Sequence, residues 1–269
     1  MKFDVNLSIL FTELPLLQRP AAAASVGFEA VEFWWPFADP APGDAEVDAF
    51  LTAIKDAGVR LVGLNFAGGD LPGGERGLLS QPARSPEFRD NIAVAVGIAR
   101  ATGCRALNAL YGNRVDGVAA EAQDELAGEN LALAAKAAAE INAVVLIEAL
   151  NALENPRYPL TSAADAILVC DRVRRESGAE NLRFLADLYH LGVMGEDLPA
   201  VIAEHADRIG HVQIADVPGR HQPGTGELDV NALLTALTNH GYDGWIGCEY
   251  KPVGRSADSF DWLKPHLGG

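Results

Sequence analysis

Short apolar runs rich in β-branched and aromatic residues recur along the chain, and segments with helical spacing separate them. We expect β-strands at residues 3–9, 30–34, 60–65, 105–110, 144–148, 182–187, 211–215 and 245–249. Runs of this length and composition are typical of buried strands. The regular alternation of strand and helix predicts parallel strands connected by helices.

Two of the intervening segments carry clear signals for where a helix begins or ends. Apolar residues between positions 47 and 54 repeat at helical spacing, and we expect Asp44 to cap this helix and Gly58 to end it. Ser162 and Asp165 have the spacing of a capping box, in which each side chain bonds the other's backbone N–H. A further helix should therefore begin just after Ser162.

The number of units points to a closed barrel. Eight strand–helix units in 269 residues match a (β/α)₈ TIM barrel, which typically has about 250 residues. A doubly wound open α/β sheet is the structural alternative. Because no Ser/Gly linker, charge block or low-complexity tract divides the chain, we expect a single domain over residues 1–269.

Polar side chains close several of the apolar strands. Glu148, Asp187 and Glu249 each stand at the end of a predicted strand, and Gln213 lies on the same strand face as His211. Taken singly, such residues are often solvated carboxylates, helix caps or hydrogen-bonded core residues. Barrel active sites lie at the C-terminal ends of the strands, so we expect these residues to converge there.

Carboxylates brought together in this way would repel one another unless a cation held them. Their hard oxygen atoms suit Mg²⁺ or Mn²⁺ and suit Zn²⁺ poorly, because Zn²⁺ more often takes Cys and His. The predicted ligands of a divalent metal are Glu148, Asp187, Gln213 and Glu249.

Charge narrows the class of partner. The chain has 21 Lys and Arg against 37 Asp and Glu, a formal net charge of −16, and a sequence pI near 4.7. This balance disfavours a nucleic-acid partner, whose phosphates require basic surface. A small anionic substrate would need local cations, and the candidates on loops after predicted strands are Arg76, Arg220 and Lys251.

The remaining composition indicates a cytoplasmic protein. Asp4 and Asn6 interrupt the apolar core that a signal peptide would need, and no segment approaches the roughly 18 apolar residues of a membrane span. The three cysteines are widely spaced and lack CxxC spacing, so we expect neither a disulfide framework nor a cysteine zinc site. Dimers are common among such barrels, so a homo-oligomer stays open.

Several motifs occur in order from the second strand to the last. They are Val31-Glu32-Phe33, Gly74-Glu75-Arg76-Gly77, Leu146-Ile147-Glu148, Asp187-Leu188-Tyr189-His190, Ile209-Gly210-His211-Val212-Gln213-Ile214-Ala215-Asp216, Pro223-Gly224-Thr225-Gly226-Glu227 and Gly247-Cys248-Glu249-Tyr250-Lys251-Pro252. Together they resemble the xylose isomerase-like family of metal-dependent barrels, and more closely its hydroxypyruvate isomerase branch.

The resemblance implies an isomerase that interconverts hydroxypyruvate and tartronate semialdehyde through an enediolate. It implies that the four predicted metal ligands bind the cation, and that Glu148 and Glu249 exchange protons with the substrate. By similarity to related epimerases, the side chains expected to contact substrate oxygens are Glu154, His190 and Arg220.

Other activities share this barrel. A 2-oxo-tetronate isomerase or a ketose 3-epimerase would use the same metal and carboxylates. Those epimerases usually carry His where this chain has Gln213, which favours the hydroxypyruvate isomerase branch. The abasic-site endonucleases of the same fold need a histidine-rich zinc cluster and a basic face, which six His and a net charge of −16 do not match. A barrel that only binds a sugar is the non-catalytic alternative.

Overall fold

Eight parallel strands close into a barrel in the computed structural model, which describes residues 1–266. The strands are β1 (Lys2–Asn6), β2 (Ala30–Phe33), β3 (Arg60–Asn65), β4 (Ala106–Asn108), β5 (Val144–Glu148), β6 (Leu182–Asp187), β7 (Ile209–Ile214) and β8 (Trp245–Cys248). Each strand pairs with the next, and β8 pairs with β1 to complete the ring. The predicted TIM barrel is confirmed, and the open sheet is excluded.

Helices connect the strands and pack around the barrel. The α-helices are α1 (Arg19–Ser25), α2 (Asp44–Ala57), α3 (Ser85–Thr102), α4 (Ala120–Ala139), α5 (Ala163–Ser177), α6 (Leu188–Val193), α7 (Leu198–His205) and α8 (Val230–Asn239). Short 3₁₀ turns lie at Leu16–Gln18, Pro82–Arg84, Ala206–Arg208, Ser256–Asp258 and Asp261–His266. None of the helices within residues 1–266 has the length and hydropathy that a bilayer span requires.

Two of the three predicted helix ends are confirmed, and one is shifted by one residue. Helix α2 ends at Gly58, which adopts the left-handed conformation with φ of 70°. Its N-cap is Gly43 rather than Asp44, because the Glu46 side chain accepts the Gly43 N–H and Asp44 takes the first helical position. At α5, Ser162 and Asp165 form the predicted capping box.

Two groups of buried apolar residues stabilise the barrel. A small cluster consists of Ala106, Leu146 and Leu185, which lie on β4, β5 and β6. A much larger core includes apolar residues of both the strands and the helices. Glu148 and Asp187 end β5 and β6, and they thereby bring polar side chains to the C-terminal mouth, where barrel active sites form.

Candidate active site

A cavity of about 1000 Å³ opens at the C-terminal ends of the strands. Seven of the nine predicted site residues line it: Glu148, Glu249, Glu154, His190, Arg220, Arg76 and Lys251. The other two, Asp187 and Gln213, are buried at the ends of β6 and β7, where they pair in register. The sequence-based set is thus gathered at one mouth of the barrel.

Glu249 follows β8 and receives hydrogen bonds on one oxygen from three directions. Its Oε1 accepts from Trp34 Nε1 at 2.6 Å, from Asn6 Nδ2 at 2.9 Å and from Gln213 Nε2 at 3.3 Å. Its Oε2 accepts from Arg220 Nη2. Oε1 is therefore occupied by three N–H donors, and Oε2, which contacts Arg220, is the oxygen with capacity for a ligand.

Burial makes two carboxyl groups of this mouth, those of Glu148 and Glu249, unusually basic. Burial raises the pKa of Glu249 to about 8, with Arg220 opposing the shift and Asp187 and Glu32 adding to it. Burial also raises the pKa of Glu148, and the nearby charges of Glu249 and Asp187 raise it further. With a pKa near neutrality, Glu249 is suited to exchange a proton at physiological pH.

The two carboxylate oxygens of Asp187 have different contacts, one with the backbone of a helix and one with side chains of the cavity. Its Oδ1 accepts the backbone N–H groups of Tyr189 at 2.8 Å and His190 at 3.3 Å, and so caps α6. Its Oδ2 lies 3.4 Å from Arg220 Nη2 and 3.6 Å from His190 Nε2. The ordinary role of a strand-end Asp as a helix cap thus leaves one oxygen for the cavity.

Gln213 is held by its amide nitrogen. Nε2 donates to Glu32 Oε1 at 2.8 Å as well as to Glu249. The carbonyl oxygen at the other side of the amide, Oε1, is buried and has no hydrogen-bond partner within residues 1–266. A buried oxygen without a donor is costly unless something binds it.

Arg220 enters the site from a loop organised by Asp216 at the end of β7. Asp216 Oδ2 accepts the N–H groups of Gly224, Thr225 and Gly226 at 2.8–3.0 Å. Arg220 itself adopts a left-handed φ of 58°, and its guanidinium contacts both Glu249 and Asp187. Its guanidinium group therefore contacts the carboxylates of two predicted metal ligands, Asp187 and Glu249.

His190 presents a hydrogen-bond donor to the same region. The backbone N–H of Asn151 donates to His190 Nδ1 at 3.1 Å, so Nδ1 is an acceptor and the proton resides on Nε2. Burial lowers the pKa of His190 to about 4, despite the opposing charge of Asp187. A neutral ring that directs Nε2–H towards Asp187 is better suited to donate to a substrate oxygen than to bind a metal.

The remaining predicted residues, Glu154, Arg76 and Lys251, line the cavity and differ in hydrogen bonding and exposure. Glu154 accepts from Tyr189 Oη at 3.1 Å and from Asn151 Nδ2 at 2.9 Å. Arg76 donates through Nη1 to the carbonyls of Leu71 and Glu75, at 2.8 and 2.6 Å. Lys251 is exposed at the rim. Among the three cations proposed for an anion, Arg220 is thus the one placed deepest.

Sequence reasoning missed a polar cluster beneath the mouth. Glu32 accepts from Asn6 Nδ2 at 3.0 Å and from Gln213, and His211 Nε2 lies 2.6 Å from its Oε2. Burial disfavours the charged form of His211, but the charge of Glu32 and the bond to it raise its pKa to about 9. Two features of the sequence pointed towards this cluster: the shared strand face of His211 and Gln213, and the motif Val31-Glu32-Phe33.

Asp4 is the anomalous member of that cluster, and its replacement should stabilise the fold. It is fully buried, and neither carboxylate oxygen has a hydrogen-bond partner within residues 1–266. Burial, and then the charge of Glu32, raise its pKa well above 3.8, so folding is progressively disfavoured as pH rises above that value. We expect Asp4→Asn to gain about 1–3 kcal/mol in unfolding free energy at pH 8.

The gain should shrink towards pH 4, where the folded wild type already holds the proton. Urea unfolding of both proteins at pH 4 and pH 8 measures it. An unchanged or lower stability of the variant at pH 8 would contradict the conclusion that the buried Asp4 carboxyl destabilises the fold when it is ionised.

The donors at the mouth fit a divalent cation. Glu148 and Asp187 each have a carboxylate oxygen within 4.8 Å of the other, and His190 stands beside them as a hydrogen-bond donor and not as a ligand. Gln213 adds its unpartnered Oε1, and Glu249 adds Oε2. Oxygen donors dominate the set, and the described residues can hold a metal ion.

Comparison with known proteins places the chain in a family. Residues 20–266 match the model of the family described as xylose isomerase-like TIM barrel. The chain belongs to the xylose isomerase-like TIM barrel family. The resemblance drawn from the strand-end motifs is confirmed.

Two relatives within this family are described as isomerases. A putative hydroxypyruvate isomerase of Streptomyces coelicolor is 61% identical over 265 residues, covering 97% of this chain and 95% of the relative. A 2-oxo-tetronate isomerase of Cupriavidus necator is 39% identical over 268 residues, covering 99% of both chains. The predicted isomerase class is confirmed at this level.

A solved structure that is similar to this chain carries a different description. A crystal structure described as AP endonuclease, family 2, from Brucella melitensis is 36% identical and covers 99% of both chains with a TM-score of 0.88. The acidic balance of the present chain, at −16, is opposite to what a DNA-binding face needs. The two isomerase relatives and the oxygen-rich mouth therefore carry the functional argument.

Proposed function

We propose that this chain interconverts hydroxypyruvate and tartronate semialdehyde with the help of Mg²⁺ or Mn²⁺. The observation that carries the proposal is the meeting of Glu148, Asp187 and Glu249 with the unpartnered Gln213 Oε1 at one buried mouth. The relative at 61% identity supports the choice of substrate. Glu148, Asp187, Gln213 and Glu249 would hold the cation.

The cation, when bound, would polarise the substrate carbonyl and stabilise negative charge on the adjacent oxygens. Positive charge held among the carboxylates would also lower the pKa values that burial raises. One of Glu148 and Glu249 would then stand ionised at neutral pH and accept a proton, while the other would keep a proton to donate.

The reaction moves one proton between neighbouring carbons while a carbonyl and a hydroxyl exchange places. In the proposed forward direction, one of the two glutamates takes the proton from the CH₂OH carbon, and the resulting enediolate receives a proton on the former carbonyl carbon from the other. Glu148 accepts a single side-chain N–H, from Asn108 at 2.8 Å, whereas Glu249 accepts four. Because donors stabilise the ionised form, Glu148 is the more basic member of the pair.

Three side chains would bind the substrate's oxygens and carboxylate. Arg220 is the buried cation nearest to the glutamates and would meet the carboxylate. His190 Nε2–H would donate to a carbonyl or hydroxyl oxygen, and Glu154 would accept a hydroxyl. Arg76 and Lys251, nearer the rim, would draw the anion towards the acidic protein.

Proton NMR in D₂O tests the proposal directly. Metal-stripped protein is incubated with hydroxypyruvate, and Mg²⁺ or Mn²⁺ is then added. We expect formation of tartronate semialdehyde only after metal addition, with deuterium entering at carbon to the extent that the glutamates exchange with solvent. Conversion at an equal rate in excess chelator would contradict the metal-assisted mechanism.

The same experiment separates the nearest alternative. The relative at 39% identity is a 2-oxo-tetronate isomerase, and the cavity of about 1000 Å³ has room for a longer acyl chain. Turnover of a 2-oxo-tetronate but not of hydroxypyruvate would retain the site and change its substrate. A ketose 3-epimerase would instead act on the ketose, and silence on all substrates would favour a binding-only barrel.

A further inference from the structure

The carboxylate of Glu32 is buried inside the barrel and hydrogen-bonded there. It leaves β2, crosses the barrel interior and meets β7, where it contacts Gln213 and His211. It is only 3% exposed, and both of its oxygens are hydrogen-bonded. A carboxylate buried this deeply persists only where several donors meet it.

Two glycines on other strands leave room for Glu32. A Cβ atom added at Gly63 on β3 would lie 2.9 Å from Glu32 Oε2, and one added at Gly247 on β8 would lie 2.7 Å from Oε1. Real Cβ atoms essentially never approach so closely. The space that these glycines leave therefore belongs to the Glu32 side chain.

Glu32 and His211 could instead be ligands of a second cation together with Asp4, since their ligand atoms lie within 4.8 Å of one another. The separation of 2.6 Å between Glu32 Oε2 and His211 Nε2 is that of a strong hydrogen bond. A metal between these atoms would have to push them apart. Direct bonding is the arrangement that the geometry favours.

We propose that Glu32 is a positioning residue that fixes which side of the Gln213 amide faces the metal. Because an ionised carboxylate only accepts hydrogen bonds, Glu32 Oε1 must be met by the amide nitrogen of Gln213. The same nitrogen also donates to Glu249 Oε1, at the longer distance of 3.3 Å. The carbonyl oxygen is thereby turned away, and among residues 1–266 it has no hydrogen-bond partner, so it is available to a cation. The inference rests on the proposed role of Gln213 as a metal ligand.

Glu32→Gln should reverse this orientation. His211 Nε2–H would keep the carbonyl oxygen of the introduced amide on its side, so the introduced amide nitrogen would face the Gln213 nitrogen. Because two donors cannot bond each other, the Gln213 amide would turn over and present its oxygen to the introduced nitrogen, and it would give up the longer bond of 3.3 Å to Glu249 Oε1. The N–H groups of Gln213 would then face the metal position and weaken metal binding.

The test is direct titration with Mn²⁺, followed by the electron paramagnetic resonance signal of the free ion, with no substrate present. We expect E32Q to bind Mn²⁺ about 10–100-fold more weakly than wild type, the usual effect of losing an outer partner of a metal ligand. In the double variant E32Q/Q213E, the amide introduced on β2 donates to the carboxylate introduced on β7, whose second oxygen faces the metal. Mn²⁺ affinity should return close to the wild-type value.

Asp4→Asn is the matched control, because it changes a buried acid of the same cluster that has no hydrogen bond to Gln213. Its Mn²⁺ affinity should stay near that of wild type. Unchanged affinity in E32Q, or a loss that Q213E does not rescue, would overturn the positioning role while leaving the metal site intact. Failure of wild type itself to bind Mn²⁺ would instead overturn the proposed metal site, and with it this inference.

Discussion

Glu249→Gln is expected to lower kcat for hydroxypyruvate by about 10³-fold, within the range usual for loss of a general acid or base. The substitution keeps the shape of the side chain and removes its ability to exchange a proton. The residue is buried, and burial raises its pKa to about 8, which is the property that a proton-transfer group needs. Initial rates at saturating Mn²⁺ measure the loss.

Glu154→Gln provides the comparison for this variant. Glu154 lines the same cavity, but it is not a proposed metal ligand, so its loss should appear mainly in KM. Equal melting temperatures of E249Q and wild type in saturating Mn²⁺ would show that the fold and the metal site survive. A kcat for E249Q close to wild type would remove Glu249 from the proton-transfer pair.

Arg220→Ala should destabilise the metal-free protein by about 3–5 kcal/mol, as expected when one partner of a buried ion pair is removed. Arg220 is only 12% exposed in its side chain and contacts the buried carboxylates of Glu249 and Asp187. Without the guanidinium these carboxylates face each other uncompensated. Urea unfolding in excess chelator measures the loss of stability.

The pH dependence and the Mn²⁺ dependence of this stability loss identify its cause. It should shrink as pH falls from 8 to 5, because Glu249, with a pKa raised by burial to about 8, is then protonated and no longer needs a cation. Saturating Mn²⁺ should also offset it, because the metal supplies the missing positive charge. In the metal-loaded variant we expect a higher KM, since the substrate carboxylate loses its partner.

Arg220→Lys serves as the control for charge alone. It retains a cation but loses the planar fork that meets two carboxylates at once, so its stability should fall between those of wild type and R220A. Equal stability of R220A and wild type in chelator, with an unchanged KM, would show that Arg220 neither stabilises the carboxylates nor binds the substrate.

The mouth of the barrel was readable from the sequence because its residues end strands. Glu148 and Asp187 end short apolar runs of strand-like composition, and parallel strands in a barrel bring their C-terminal ends together. Strand periodicity also placed Gln213 on the inward face. These inferences use only local pattern and topology.

The support beneath the mouth could not be read in this way. Glu32 contacts His211 and Gln213, which lie 179 and 181 positions further along the sequence. These contacts run across the barrel and not along a strand. Periodicity tells which face of a strand a side chain occupies, but not how far it reaches across the interior. The fit of Glu32 also depends on Gly63 and Gly247, whose absent side chains leave no hydrophobic or charged signal.

Those two glycines set a condition for transplanting this chemistry into another barrel. A designer who copied only the carboxylates and the carboxamide at the strand ends would reproduce the ligand atoms but not what aims them. Even an alanine at either glycine position would compete with Glu32 for the same volume. A successful graft must therefore carry over two empty positions as faithfully as the side chains they accommodate.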